Sequence, residues 1–242
     1  MNRAGIQQAI GEARLPDRVK KYLAVFAGGK SASGLRRLLR SSPSRLLEDM
    51  ACVLERSAET IGVTTEEVLF ATGFHPGNLD AGRLEAALAE LRAVNFLAGE
   101  GFSAVNLMPQ TRSRTADITA ARGANTYAFE VRCVTGGNSF AATDFLFDRK
   151  GALKEAGEKA LLLLEKKYRK KMPQAACSRK KGGLSHCGLV FAVNAGNFVP
   201  FAANEELREL ARALYEKVGR PPRTHLCLMA GGETGVFPAW DG

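Results

Sequence analysis

The order of apolar patterns after residue 79 constrains the fold of this chain most strongly. Asp80 is a suitable N-cap for a long helix, because leucines recur behind it at helical spacing as far as about Ala98. The later segments are predicted strands at 102–108, 115–121, 126–134, 189–193 and 225–229, and predicted helices at 149–171 and 204–218. The order helix, three strands, helix, strand, helix, strand predicts an α/β fold with a mixed sheet flanked by helices.

The first 78 residues show helical patterns only. Candidate helices cover 16–27, 33–40, 43–61 and 64–73, and a Pro-Gly-Asn segment at 76–78 is typical of a linker. We therefore predict a small all-α N-terminal domain at 1–78 and an α/β domain at 79–242. The helices carry no recognisable chemistry. A role in a homo-oligomer or in binding a protein partner is as consistent with them as contact with nucleic acid through Arg36, Arg37 and Arg40.

The charge of the chain is concentrated in one segment. The 242 residues include 34 Lys and Arg against 25 Asp and Glu, a net charge of +9. Residues 149–181 hold twelve basic and three acidic residues, an excess equal to the whole net charge, on a predicted helix followed by a basic glycine-rich loop. Such a patch indicates a polyanion partner, and we expect nucleic acid, DNA in particular. The lysines expected to contact it are Lys150, Lys154, Lys159, Lys166, Lys167, Lys170 and Lys171.

Composition excludes several other classes of protein. No apolar run approaches the roughly 20 residues of a membrane-spanning helix, so we expect no membrane partner. The N-terminal residues are too often charged for a signal peptide. Five cysteines without regular spacing fit a reducing compartment, which predicts a cytoplasmic protein.

The strands at 115–121 and 126–134 are predicted to form a hairpin around Gly123-Ala124. A two-residue turn there places Asp117 directly opposite Glu130, with Arg132 on the same face. The other face is apolar, with Ile118, Phe129 and Val131. Two adjacent carboxylates repel each other unless a positive group lies between them, and an oxygen-preferring ion such as Mg²⁺ fits. A slip of one residue would place Asp117 opposite Val131 and remove this argument.

At these residues the chain resembles the PD-(D/E)XK nuclease superfamily, whose fold is restriction-endonuclease-like. The matching segments are Thr-Ala-Asp-Ile at 115–118, Phe-Glu-Val-Arg at 129–132, and the glutamate-bearing helix before them. The resemblance implies that Asp117 and Glu130 hold Mg²⁺ or Mn²⁺. It implies that Glu90 assists from the helix, directly or through water, with Glu85 as an alternative. The implied activity is metal-dependent hydrolysis of phosphodiester bonds, by an endo- or exonuclease.

The chain departs from the family pattern at two positions. Ala116 replaces the proline before the aspartate, and Arg132 stands where the family has lysine. Arginine stays protonated and cannot act as a base, although it can stabilise negative charge. A lysine from the next helix (Lys150, Lys154 or Lys159) is one substitute. The other interpretation is a catalytically degenerate domain that binds nucleic acid or a protein partner.

Overall fold

A computed structural model describes residues 3–29, 34–109, 116–134, 152–193 and 204–240 of the chain. In these residues eight helices accompany one six-stranded sheet. The helices are α1 (Arg3–Glu12), α2 (Asp17–Ala27), α3 (Gly34–Ser41), α4 (Pro43–Ile61), α5 (Thr65–Ala71), α6 (Ala81–Gly99), α7 (Glu155–Lys181) and α8 (Asn204–Lys217). The strands are β1 (Ser103–Leu107), β2 (Ile118–Arg122), β3 (Asn125–Val134), β4 (His186–Val193), β5 (Thr224–Ala230) and β6 (Glu233–Phe237).

The strands lie side by side in chain order. Strands β1, β2 and β3 are antiparallel neighbours, β3, β4 and β5 are parallel, and β6 is antiparallel to β5. Parallel neighbours cannot be joined by a tight turn, and helices α7 and α8 stand in the chain between them. The predicted mixed α/β class is therefore confirmed.

Helix α6 lies between two layers, and both of its faces are apolar. Val94 and Leu97 pack against the sheet with Phe102. Leu84 and Leu88 pack against the N-terminal helices, which thus share a hydrophobic core with α6. Helices α7 and α8 cover the opposite face of the sheet. The division of the chain at residue 78 stays a prediction. None of the described helices is long and apolar enough to cross a membrane.

The cap and bounds of α6 agree closely with the sequence prediction. The Asp80 carboxylate accepts a hydrogen bond from the Gly82 amide at 2.9 Å, as an N-cap does. Helix α7 differs, since it continues to Lys181 where a basic loop was predicted. Lysine and arginine are good helix formers and are favoured in the last turn of a helix, so the helix ends only at Gly182.

Two elements, α1 and β6, were not predicted. Strand β6 is short and owes its place to tertiary contacts. The Thr234 amide donates to Asn204 Oδ1 at 2.6 Å, so the side chain of the first residue of α8 holds the edge strand. At Gly235 a Cβ atom would overlap the backbone of α8 at Leu207 and Arg208. Neither contact is visible in the local pattern of the strand.

Candidate active site

The β2–β3 hairpin has the register that the two-residue turn predicted. Ile118 pairs with Phe129 and Arg122 pairs with Asn125, and Gly123 in the turn has a left-handed φ of 57°. Asp117 immediately precedes β2, and its amide donates to the Phe129 carbonyl at 2.9 Å. The paired register ends at Ile118 and Phe129, so Asp117 lies just beyond it, and the predicted pairing of Asp117 with Glu130 is not part of the ladder.

The Asp117 side chain is fixed by the strand opposite. Its Oδ2 accepts a hydrogen bond of 2.7 Å from the Val131 amide, where the regular ladder between the strands ends. The preceding residue is anchored to α7, because the Ala116 amide donates to Ser178 Oγ at 2.6 Å. Asp117 is consequently held between β3 and α7 by contacts on both sides.

Glu130 lies on the face of β3 that α7 covers, and it is completely buried. Lys171 of α7 donates a hydrogen bond from its Nζ to Glu130 Oε1. Glu130 Oε2 has no hydrogen-bond partner among the described residues. A buried carboxylate oxygen without a donor is costly, so this atom is a candidate for binding a cation.

Glu90, and not Glu85, is the helix carboxylate near the hairpin. Burial, followed by the negative charges of Asp117 and Glu130, raises the pKa of Glu90 to about 9 against the opposing charge of Lys171. Glu85 accepts a hydrogen bond from the Leu35 backbone and therefore faces the N-terminal helices. Of the two alternatives left open by the sequence, the structure places Glu90 with the other carboxylates.

The carboxyl groups of the site are held in surroundings that disfavour their charged forms. Burial raises the pKa of Glu130 to about 7, with a further contribution from Asp117 and opposing contributions from Lys171 and Arg132. Burial also raises the pKa of Asp117, against the Val131 amide and the same two cations. A cluster in this condition takes up protons or a cation.

Lys171, rather than a lysine from the start of the helix, reaches the carboxylates. Lys154 is exposed at the N-cap of α7, and Lys159 is paired with Glu155 at 2.5 Å on the surface. Lys150 lies outside the described residues. In the sequence Lys171 stands seven residues after the buried Leu164, so helical spacing could have placed it on the covered face.

The remaining cations flank the site. Arg132 is half-buried, and its charge acts on both Asp117 and Glu130. Lys167 is also half-buried, and its pKa is lowered by burial and then by Arg132. Lys166 and Lys170 are exposed, as expected for lysines that contact a polyanion.

The donor set fits a small, hard cation. Mg²⁺ is commonly held by one or two carboxylates, with water and phosphate oxygens completing its shell. Asp117 and Glu130 supply two carboxylates, and Glu130 Oε2 lacks another partner among the described residues. A group of three or more His, Cys, Asp or Glu side chains able to hold a metal ion is not found in the described part of the chain. The residues therefore suit an ion that relies on water and substrate for its other ligands.

Comparison with known proteins gives no further guide. No protein-family model matches this chain, and no curated protein or solved structure is significantly similar to it. The function must accordingly be inferred from the contacts and charges of the site itself.

Proposed function

We propose that the protein is a metal-dependent nuclease that hydrolyses phosphodiester bonds of nucleic acid, with Mg²⁺ or Mn²⁺ as cofactor. The observation that carries the proposal is the meeting of Glu90, Asp117 and Glu130 with the ammonium of Lys171. The order of a helix, three antiparallel strands, a helix and a parallel strand also supports a restriction-endonuclease-like arrangement.

Asp117 and Glu130 would hold the ion, and Glu90 would assist directly or through water. When bound, such an ion acts as a Lewis acid on a phosphoryl oxygen and makes a bound water more acidic. The Val131 amide orients Asp117 in advance, which reduces the reorganisation needed when charge develops. The elevated pKa of Glu90 allows this carboxyl to keep a proton at neutral pH.

The lysine position of the family motif is proposed to be filled in space by Lys171. Its ammonium orients Glu130 and can donate to a phosphate oxygen. Arg132 cannot take up a proton and would add positive charge beside the transition state. Lys171 and Arg132 would together take the roles of the single motif lysine in the family that the sequence resembles.

The exposed side of α7 is proposed to contact the nucleic acid backbone. Lys166 and Lys170 are exposed on the helix that also delivers Lys171 to the carboxylates. Phosphate contacts release condensed counterions, which makes such binding strong at low salt. DNA is the proposed substrate, and the panel of DNA and RNA substrates described below tests this choice.

A degenerate domain that binds nucleic acid or a protein without cleaving it is the second candidate. The observation that favours it is the Lys171–Glu130 pair, which already gives one oxygen of the carboxylate a positive partner. This candidate predicts salt-sensitive binding without a metal requirement. It also leaves the N-terminal helices as the surface for a protein partner or a second copy.

Calorimetric titration with Mg²⁺ and Mn²⁺, combined with cleavage of a DNA and RNA panel, separates the two candidates. We expect metal binding and cleavage in the wild type and the loss of both in the Asp117→Ala/Glu130→Ala variant. Glu209→Ala/Glu216→Ala removes two carboxylates of α8 that pair with arginines and serves as the matched control. Circular dichroism verifies that each variant is folded.

Cleavage that survives in the Asp117→Ala/Glu130→Ala variant contradicts the proposal. Salt-sensitive binding of nucleic acid by a wild type that neither binds metal nor cleaves establishes the second candidate.

A further inference from the structure

A separate cavity of about 460 Å³ lies on the other side of the sheet from Lys171. It opens between α4, α6 and the carboxyl ends of β4 and β5, where β5 turns into β6. Its volume falls in the range of roughly 300–1,000 Å³ that is typical of small-molecule sites. Ligands of open α/β sheets commonly bind outside the carboxyl ends of parallel strands, which is where this cavity lies.

We propose that this cavity binds a mononucleotide, a single nucleoside bearing one phosphate group. The proposal concerns a second site and does not depend on nuclease activity. The nucleotide has two sources with the same chemistry: a free nucleoside monophosphate, or the phosphorylated end of a nucleic acid strand.

The charged groups of the cavity suit a ligand that has both an anionic and a neutral polar part. Arg56 and Arg92 supply two guanidinium groups, whose planar donors match phosphate oxygens. Asp49 and Glu233 supply two carboxylates, which accept hydrogen bonds from hydroxyl or amino groups.

The apolar part of the wall suits a flat ring. Phe96 lines the cavity together with Val53 and Met229. The Phe96 ring packs on Trp240 with 6.5 Å between centroids, so one side of this aromatic group is supported by the core. An aromatic face beside aliphatic side chains binds a heterocyclic base by stacking.

The cavity wall is held rigid between α4 and α6. Asn95 donates from its side chain to the Val53 carbonyl at 3.2 Å, and Ser57 Oγ donates to Asn95 Oδ1 at 3.0 Å. These contacts fix the spacing of the two helices that carry Arg56 and Arg92. A preformed wall reduces the ordering cost of binding.

The cavity is distinct from the carboxylate site. Among the described residues, the lining of the cavity includes none of the four groups of that site, Glu90, Asp117, Glu130 and Lys171.

Isothermal titration with the ribo- and deoxynucleoside monophosphates, in buffer containing EDTA, tests the proposal. Arg56 is exposed on α4, so Arg56→Gln removes one guanidinium without opening the core. We expect wild-type binding that Arg56→Gln weakens at least about tenfold, as the loss of a charge-assisted hydrogen bond implies. Arg56→Lys should retain part of the affinity, and Arg45→Gln, on the same helix outside the cavity, should bind like the wild type.

A second readout uses the exposed thiol of Cys52, which lines the cavity. A bound nucleotide should slow its alkylation by a maleimide, followed by mass spectrometry, while the rate at Cys177 stays unchanged. Competition by a 5′-phosphorylated oligonucleotide, but not by its 5′-hydroxyl counterpart, identifies a strand end as the source. Failure of both to compete identifies the free nucleotide.

The proposal is overturned if no monophosphate binds, or if Arg56→Gln binds as tightly as the wild type. It is also overturned if Asp117→Ala/Glu130→Ala abolishes nucleotide binding, because the ligand would then occupy the carboxylate site. Cleavage lost in that variant with nucleotide binding retained leaves this proposal standing. A wild type that cleaves nucleic acid but binds no monophosphate removes this proposal while keeping the nuclease.

Discussion

The two faces of strand β3 differ sharply in what they contribute. On the face toward α6, Tyr127 and Phe129 stack with 5.7 Å between ring centroids. Phe102 and Trp240 meet Phe129 edge-on at 5.6 Å and 5.9 Å. Aromatic side chains bury large apolar areas and prefer these geometries, so this face of the strand stabilises the fold.

On the face toward α7, a charged residue interrupts the apolar packing. Glu130 is completely buried there, and Lys171 is its partner. Burying an ion pair commonly stabilises less than apolar residues of the same volume would. One face of β3 therefore stabilises the fold through apolar packing. The other face carries a buried ion pair, which stabilises the fold less, as is common at sites with a chemical role.

Truncation of the aromatic face should have the largest effect on stability. Phe129→Ala removes a fully buried ring, and we expect a loss of about 3–5 kcal/mol in the free energy of unfolding, measured by urea denaturation. Val25→Ala, at a valine that is 60% exposed, is the control and should cost less than about 0.5 kcal/mol. A loss at Phe129 no greater than that of the control would contradict the description of this core.

Breaking the ion pair on the other face should lower the free energy of unfolding nearly as much as Phe129→Ala does. Lys171→Met leaves Glu130 buried without its cation, with an expected loss of about 3 kcal/mol at pH 9 and a smaller loss at pH 5, where Glu130 is protonated. The free energy of unfolding of the double variant Glu130→Met/Lys171→Met should lie within about 1 kcal/mol of the wild-type value or above it. A double variant as unstable as Lys171→Met would show that the lysine acts through packing alone.

The carboxylates should also make stability depend on pH in metal-free buffer. Burial raises the pKa of Glu90 from 4.5 to about 9 and that of Glu130 from 4.5 to about 7. Between these values the folded state binds more protons than the unfolded state, so the free energy of unfolding falls as pH rises from about 4.5 to about 9.

Glu90→Gln should remove most of the slope between pH 7 and pH 9, measured by thermal denaturation. Exposed Glu216→Gln on α8 should leave the slope unchanged. Equal slopes in the Glu90 variant and the wild type would place Glu90 in water and separate it from the site.

The smallest effect is expected for substitutions on the exposed side of α7. Lys166→Gln/Lys170→Gln should weaken nucleic acid binding and lower the slope of log affinity against log salt by about 1.8, since each phosphate contact contributes about 0.9. Fluorescence anisotropy in EDTA buffer over a salt series measures it. Lys159→Gln should change the slope less, because Glu155 already neutralises Lys159. An unchanged slope in the double variant would direct attention to another surface.

Local sequence determined the parts of the molecule that neighbouring residues specify. The cap of α6 follows from Asp80 and the amide two residues later. The register of the hairpin follows from Gly123-Ala124 and the alternation of apolar residues, and it brings the segment that begins at Asp117 close to Glu130. Each of these depends on contacts within a single turn of helix or across one tight turn.

Tertiary structure decided what joins segments that are distant in the chain. Lys171 reaches Glu130 across 41 residues, and only the packing of α7 on β3 selects it from the other lysines. The choice of Glu90 over Glu85 depends on which side of α6 faces the hairpin. The cavity lined by Arg56, Arg92 and Glu233 is assembled from three separate elements. Sequence spacing specifies the face on which a side chain lies, but burial and the approach of other elements decide which groups meet.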